Sequence, residues 1–298
     1  MKSRFVLSLT VFACALLSAC ALFAQPNAPH ISNSALDELS GLAVSHADPT
    51  LLWGHNDSGD GPNLFRIGLA GEDLGMITVD GANAIDWEDI AAFDWHGQPA
   101  LLIADTGDNS AKRDHLTLYA VTDPGVNGPV KLLWKLDFRY PDGPRDCEAV
   151  AVDPIEHSIL LLSKREFPQH LYRLPLPDTQ PAPGLAIAES LNNAVKIQRP
   201  TLVDLVENPG FGQYSGMPTA MDIARDGSFA VVVTYKNAYR FRRAPGESWG
   251  AAFAAAPETI VQPRLRQTEA GAISADGRHL FISSEGHSAP LVRLPLAP

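Results

Sequence analysis

The chain has very little cysteine. Only three cysteines occur among its 298 residues, and Cys14 and Cys20 both lie in the N-terminal apolar segment. Cys147 is alone in the remainder, so no intramolecular disulfide can form there and burial must stabilise the fold. Helix signals are also scarce, because 24 prolines and 23 glycines interrupt the chain and no apolar stripe keeps a 3.6-residue period. The chain is therefore expected to be neither disulfide-rich nor helical.

Positive charge and several well-known motifs are scarce or missing as well. The 23 basic residues face 34 acidic ones, for a net charge of −11. This balance argues against nucleic acid or an anionic membrane surface as a partner. The sequence contains no Gly-x-Ser-x-Gly elbow, no phosphate-binding glycine loop and no Cys/His spacing suited to zinc.

The N-terminus carries an export signal. Lys2 and Arg4 precede the apolar run 5–17, which is too short to span a bilayer comfortably. The following Leu-Ser-Ala-Cys resembles the lipobox of bacterial lipoproteins, which implies lipidation of Cys20. Ordinary cleavage after Ala24 is the alternative. We predict a signal peptide at 1–19, a linker at 20–29 and a single domain at 30–298, exported and held in the cell envelope by a lipid anchor alone.

The domain contains an internal repeat. Each of five segments has a short strand-like phrase, an uninterrupted apolar run, and a strand with an aromatic or branched centre. These centres are Phe65, Tyr119, Tyr172, Tyr239 and Val292, at separations of 54, 53, 67 and 53 residues. About four short strands per 53 residues is the pattern of propeller blades. The sequence predicts an all-β fold, a β-propeller of five four-stranded blades.

The fourth strands are weaker, and the prediction for the third unit is Ala194–Ile197. The last unit has no fourth strand, so a segment at about His30–Ala35 is expected to close the ring. An irregular sixth blade hidden within Ala186–Met217 is the alternative to five blades.

Three phrases carry a family resemblance. Glu38-Leu39-Ser40-Gly41, Asp86-Trp87-Glu88-Asp89 and Asp146-Cys147-Glu148-Ala149 resemble the inner strands of the SdiA-regulated (YjiK-like) propellers. They are also similar to those of phytase-like esterase propellers and, more distantly, of the gluconolactonase group. The first group is largely uncharacterised and often exported. Lactonases of the last group hold a divalent cation, usually calcium, in the central channel, so the resemblance implies a cation here too.

The first phrase of each unit should line the central channel. Its equivalent positions are Ser40, Glu88, Glu148, Thr219 and Glu269. Crowded carboxylates raise one another's pKa unless a cation compensates, so Glu88, Glu148 and Glu269 are the predicted metal ligands, with Ca²⁺ as the predicted ion. Alternatively, each Glu caps backbone N–H groups of the neighbouring blade.

The turns after the second strands should form a rim around that channel. Their polar residues are the predicted ligand-binding set: Asp57, Asp105, Asp108, Asn109, Lys164, Tyr235 and Glu285. Asp57 and Asp105 are taken as equivalent, since each lies 17 residues after its channel position. Turn chemistry alone explains Ser58, Gly59, Thr106 and Gly107, with the glycines accepting positive φ.

His55 and His287 flank this rim and are the candidate general bases. Three functions are compatible with these features. The first is a monomeric propeller that binds a small polar ligand or an envelope protein without turnover. The second is a calcium-dependent hydrolase of the lactonase, esterase or phytase kind, although Lys164 and Arg165 supply only one cationic pair for phosphate. The third is a purely structural envelope protein.

Overall fold

The computed structural model describes residues 28–192 and 194–296. The fold is all-β, with five mainly antiparallel sheets arranged as the blades of a ring. The predicted five-bladed propeller is therefore confirmed. The lipidation site at Cys20 lies outside the described residues. Within the described ranges, no helix has both the length and the apolarity to cross a bilayer.

The first two blades follow the predicted order of strands. Blade 1 consists of β1 (Leu39–Val44), β2 (Leu51–Asn56), β3 (Asn63–Gly68) and β4 (Asp73–Thr78). Blade 2 consists of β5 (Trp87–Trp95), β6 (Gln98–Asp105), β7 (Leu116–Thr122) and β8 (Leu132–Arg139).

The third blade differs from the prediction in its fourth strand. It consists of β9 (Cys147–Asp153), β10 (Ser158–Ser163), β11 (Leu171–Pro175) and, after the short β12 (Ala186–Ile187), β13 (Glu189–Asn192). The outer strand is thus β13, not the predicted Ala194–Ile197. β12 pairs in parallel with β8 of blade 2. The connection between β11 and β13 therefore adds a short strand to the neighbouring blade.

The last two blades have the predicted first, second and third strands. Blade 4 consists of β14 (Pro218–Ile223), β15 (Phe229–Thr234), β16 (Asn237–Arg242) and β17 (Glu258–Val261). Blade 5 has three strands: β18 (Thr268–Ile273), β19 (His279–Ser284) and β20 (Val292–Pro295). A short helix α2 (Trp249–Ala254) precedes β17.

The N-terminal segment pairs with the chain just before β20 of blade 5, but through a single bridge and not as the predicted fourth strand. Ile31 donates its N–H to the carbonyl of Ala289, and Leu291 donates to that of Pro29. His30 forms a single antiparallel bridge with Pro290. The first and last inner strands, β1 and β18, also pack together, so the ring closes.

The described residues between β13 and β14 form no sixth blade. That connection instead forms α1 (Leu202–Glu207) and a 3-10 helix (Gly212–Tyr214). Thr201 begins α1 in a capping box with Asp204, which satisfies backbone donors of the first turn. The connection lies on the face of the propeller where the second strands end, since it lines a cavity together with residues that follow them.

Burial explains why the sequence pattern changes from strand to strand. The inner strands of blade 1 and blade 5 are buried along their whole length, and so is the apolar second strand β2 of blade 1. The fourth strand β4 is mostly exposed, which is why its apolar pattern is weak. Apolar clusters fill the spaces between neighbouring blades.

Each inner strand carries a β-bulge at its predicted channel position. In blade 2, Trp87 pairs with Asp105 and Asp89 with Ala104, so Glu88 between them has no pairing partner. The same irregularity occurs at the other four positions, Ser40, Glu148, Thr219 and Glu269. A bulge bends the strand and re-aims the extra side chain. Five bulges therefore place five equivalent residues at one end of the channel.

Candidate ligand and cation site

The bulge residues are buried and partly bonded to one another across blades. Ser40 donates to the backbone carbonyl of Glu88 at 3.0 Å and faces its Oε2 at 3.3 Å. Thr219 donates in the same way to the carbonyl of Thr268, at 2.8 Å. The three bulge glutamates do not cap the next blade in this manner. Glu88, Glu148 and Glu269 instead face a group of charged side chains at the channel mouth.

Two sets of three carboxylates converge there. Asp57, Asp86 and Glu88 each offer an oxygen within 4.8 Å of the others, and so do Glu88, Asp146 and Glu148. Glu88 belongs to both sets, so the five residues form one acidic cluster. The predicted metal ligand Glu269 is in neither set, and its Oε1 accepts a hydrogen bond from Tyr235 at 2.5 Å.

Asp86 and Asp146 were not among the predicted site residues. Each lies two positions before a bulge glutamate, in the phrases Asp86-Trp87-Glu88 and Asp146-Cys147-Glu148. Both acids of each phrase reach the same acidic cluster at the channel mouth. The repeated Asp-x-Glu phrase is thus the sequence signal that could have identified Asp86 and Asp146.

Gly107 leaves room for the acidic cluster. A Cβ at this position would collide with Glu88 Oε1 and with the carboxylate of Asp86. Its φ is not positive, unlike that of Gly59, whose φ is 92° and which has open space around it. The prediction that turn geometry explains both glycines holds for Gly59 and is wrong for Gly107, which is required by close approach.

The carboxyl groups of the cluster bind protons more tightly than isolated ones. Burial, together with the charges of Asp57 and Asp146, raises the pKa of Asp86 to about 6. Burial and the neighbouring Glu148 raise the pKa of Glu88 well above its ordinary value. Burial also raises the pKa of Asp57, which is in hydrogen-bond contact with Asp86. Crowding of like charge away from water has this effect when no cation compensates.

Lys164 is the main positive charge inside this region. Its Nζ forms an ion pair with Glu148, and both side chains are buried. Burial opposes the charge of Lys164, but Glu148 and further acidic groups outweigh it and raise the pKa of the lysine. Glu148 has a raised pKa of about 8, because burial and the charges of Asp146 and Glu269 exceed the attraction of Lys164. One lysine therefore does not neutralise the cluster.

The donor set suits a hard divalent cation. The cluster offers carboxylate oxygens alone, which is the ligand type that Ca²⁺ prefers in proteins. Gly107 provides the space in which these oxygens approach one another. Asp57, Asp86, Glu88, Asp146 and Glu148 are thus the residues that would hold a cation, and the excess negative charge favours one.

Glu285 lies beside the cluster on the blade 5 side. Burial and the nearby Glu269 raise its pKa to about 9. Tyr235 has a raised pKa as well, owing first to burial, and its ring lies 5.3 Å from Lys164 Nζ. The structure therefore brings Asp57, Lys164, Tyr235 and Glu285 together at the channel mouth.

Asp105 does not occupy the position equivalent to Asp57. It is the last residue of β6 and pairs with Trp87, whereas in blade 1 the residue in that register is Asn56. The inner hairpin of blade 2 has one residue more than that of blade 1, so the constant spacing was misleading. Thr106 is the equivalent residue, and it donates to the carbonyl of Cys147 at 2.7 Å.

Asp105 has a structural role instead. Its side chain is fully buried, forms an ion pair of 2.8 Å with Arg113, and accepts the N–H of Asp86 at 3.1 Å. It therefore holds the backbone that carries Asp86.

Asp108 and Asn109 also organise the loop after β6. Asp108 accepts the N–H groups of Lys112 and Arg113 at 2.8 and 2.9 Å. Asn109 is exposed and accepts a hydrogen bond from Arg165. Arg165 in turn donates to Asp146 at 2.7 Å, so these residues reach the acidic cluster only through Asp146.

Neither predicted histidine base contacts the cluster. His55 is fully buried, with its ring edge-to-face on Trp87 and its Nδ1 2.9 Å from the carbonyl of Asn56. Burial lowers its pKa to about 4, and the missing side chain of Gly41 makes room for its ring. The placement of His55 at the rim was wrong. His287 is exposed and faces Asp37 at 3.6 Å.

A cavity of about 310 Å³ opens beside the acidic cluster. Its walls come from blades 3, 4 and 5 and from the connection that carries α1. Lys164 and Tyr235 line it, and the same two side chains contact Glu148 and Glu269. The cavity and the carboxylates thus share one wall.

Comparisons with known proteins support no family assignment. No family model matches the sequence, and no curated protein does. Among solved structures, a gluconolactonase from Xanthomonas campestris is similar over 87% of this chain and 72% of its own, at 12% identity and a TM-score of 0.46.

Two further structures are similar over comparable shares of this chain. A nidogen/laminin complex is similar at 12% identity over 85% of this chain and 74% of the other, with a TM-score of 0.46. The structure of U3-55K has 12% identity, coverages of 87% and 68%, and a TM-score of 0.41. The propeller architecture rests on the strand topology of this chain itself.

Proposed function

We propose that this protein binds a small polar molecule in the cavity beside its channel mouth, next to a divalent cation on the channel carboxylates. The observation that carries this function is the shared wall: Lys164 and Tyr235 line the cavity and contact Glu148 and Glu269 on its inner side. A concave site with a few convergent polar groups of perturbed pKa is the usual form of a ligand site.

A calcium ion is the proposed occupant of the acidic cluster. The donors are all carboxylate oxygens, and Glu88 serves both sets of three. When bound, the ion would supply positive charge beside the cavity and polarise a ligand oxygen. The chain's own groups would position the ligand: Lys164 as a fixed charge and Tyr235 through its ring and hydroxyl.

Hydrolysis of an ester or lactone is the second candidate, and the proton chemistry of the cluster favours it. Asp86 has a raised pKa of about 6 and lies half-buried at the channel mouth. In the cluster without a bound cation, a carboxyl group in this range can take and release a proton near neutral pH, as a general base requires. We expect Asp86→Asn to abolish turnover of any ester or lactone substrate, while Asp94→Asn, at an exposed residue of β5, leaves it intact.

The binding site can be tested by filling the cavity. Ser215 lines it, whereas Gln213 is an exposed neighbour in the same connection that does not. In a thermal-shift screen of sugars, sugar acids and phosphate esters with Ca²⁺ present, we expect a ligand at 100 times its Kd to stabilise the wild type by about 2.7 kcal/mol. Ser215→Trp should lose this shift and Gln213→Trp should keep it. A wild type that responds to no compound, or equal shifts in both variants, would refute the site.

Export and lipid anchoring through Cys20 are also proposed, together with a cell-envelope location and a monomeric state. The support is the segment before Cys20, in which a basic start and an apolar run precede Leu-Ser-Ala-Cys. We also propose a relation to the SdiA-regulated (YjiK-like) propellers, supported by the sequence phrases around Glu88 and Glu148.

Replacing the lipidated residue tests the anchor. We expect Cys20→Ser to move the protein from the membrane fraction to the soluble fraction, because the acyl groups on Cys20 are the proposed anchor. Cys14→Ser is the matched control and should leave the distribution unchanged, as measured by immunoblotting of fractionated cells. An unchanged distribution of the Cys20→Ser variant would show that Cys20 does not anchor the chain.

A further inference from the structure

The cavity collects basic residues from segments far apart in the sequence. Lys164 and Arg165 follow β10, Lys236 lies between β15 and β16, and Arg264 and Arg266 lie between β17 and β18. Only two acidic residues line the same cavity, Asp204 and Glu207. Five positive and two negative side chains leave a local excess of three positive charges, in a protein whose net charge is −11. The sequence had suggested only the pair Lys164 and Arg165.

Four of these cations are already engaged. Lys236 pairs with Asp204 at 2.5 Å and Arg264 pairs with Glu207. Lys164 and Arg165 pair with Glu148 and Asp146.

Arg266 is different from the other four. Within the part of the chain that the structure describes, it forms no ion pair and no hydrogen bond through its side chain. Its Nη1 lies 4.0 Å from the position that a Cβ on Gly286 would take, so the guanidinium lies beside the turn that follows β19. It is thus a charge available to a ligand in the cavity that it lines.

The lining also includes apolar and aromatic residues. Phe211, Tyr214, Met217 and Leu265 line the cavity. Phe211 is 63% exposed, although a ring of this size is normally buried, and its centroid lies 6.3 Å from that of Tyr214. These two rings offer a surface against which an apolar or aromatic body can pack.

Resting on the proposed function, we infer that the cavity binds a small organic anion: one carboxylate or phosphate group on an aromatic or apolar body. Arg266 is the principal partner of the charged group, because a guanidinium forms paired hydrogen bonds to either oxyanion. Phe211 and Tyr214 cover the body. A cation on the neighbouring carboxylates removes the repulsion that they would otherwise exert on the anion.

Calorimetric titration of the mature protein with Ca²⁺ present tests this inference. The probes are phenyl phosphate, benzoate, inorganic phosphate and two neutral molecules, benzyl alcohol and glucose. We expect phenyl phosphate or benzoate to bind more tightly than benzyl alcohol. Arg266→Gln should weaken binding of the anion about tenfold to hundredfold and leave benzyl alcohol unaffected. Phe211→Ala should weaken phenyl phosphate about tenfold and leave inorganic phosphate unchanged.

Arg278→Gln is the matched control, since Arg278 is an exposed arginine in the β18–β19 hairpin, and it should bind like the wild type. Comparison of phenyl phosphate with benzoate decides which anionic group is preferred. Equal affinity for anionic and neutral aromatics, or wild-type affinity of Arg266→Gln for every anion, would overturn the inference. Glucose binding without anion binding would overturn it and leave the proposed polar-ligand site standing, whereas failure of all five probes would count against both.

Discussion

Replacing Lys164 with Met is expected to destabilise the protein by about 3–5 kcal/mol at pH 8, the cost of removing one partner from a buried ion pair. Lys164 forms an ion pair with Glu148, and both side chains are nearly inaccessible to water. Without the lysine, the acidic cluster keeps its carboxyl groups and loses the cation closest to them. Urea unfolding, followed by the midpoint and slope of the transition, measures the loss.

Two further variants make this result specific to the ion pair. Lys236→Met is the matched control, because its partner Asp204 is buried but the lysine is 41% exposed, and it should cost no more than about 1 kcal/mol. Adding Glu148→Gln to Lys164→Met should recover part of the stability, since one crowded carboxyl group is then removed. A Lys164→Met protein as stable as the wild type would show that the lysine does not compensate the cluster.

Replacing Asp89 with Ala is expected to destabilise the protein by about 2–6 kcal/mol. Asp89 is fully buried and accepts N–H groups from two other blades, Val150 at 2.8 Å and Met221 at 3.1 Å. A third bond comes from the N–H of Ile90, at 2.9 Å. Alanine leaves the two N–H groups from the other blades without an acceptor, and each such buried donor costs about 1–3 kcal/mol.

Another aspartate on the same strand provides a matched control for the Asp89→Ala variant. Asp94 lies on the same strand β5, but its side chain is 62% exposed and contacts only His46, at 3.1 Å. Asp94→Ala should change the free energy of unfolding by less than about 1 kcal/mol. Asp89→Asn should fall between the wild type and Asp89→Ala, because the amide keeps one acceptor oxygen. Equal stability of the Asp89→Ala and Asp94→Ala proteins would show that blades 2, 3 and 4 are not tied together by this carboxylate.

The architecture was predictable because propeller blades repeat locally. Each blade reuses one order of strands, and most residues of the inner and second strands are buried in all five blades. The channel positions from Ser40 to Glu269 were aligned correctly for the same reason. The outer strand of blade 3 was not predictable, because the chain before it pairs with β8 of the neighbouring blade. A local sequence pattern does not indicate pairing with a strand of another sheet.

The site was predictable only in part, because small irregularities decide where side chains point. One extra residue in the blade 2 hairpin puts Thr106, not Asp105, in register with Asp57. His55 lies inside because Gly41 opposite it has no side chain. The cationic cavity has no local signature, since Lys164, Lys236 and Arg264 are far apart in the sequence and meet only in the folded propeller.

Calcium binding by the purified mature protein, measured by equilibrium dialysis and elemental analysis, tests the cation site most directly. We expect bound calcium in the wild type at pH 8 and its loss in Glu88→Gln, because Glu88 belongs to both sets of three carboxylates. Affinity should fall as the pH drops from 8 to 6, since Glu148 and Asp86, with raised pKa values of about 8 and 6, take up the protons that compete with the ion. Glu189→Gln, at an exposed residue of β13, should bind like the wild type. A wild type without bound calcium, or a Glu88→Gln protein that binds as much, would contradict a cation site at the channel mouth.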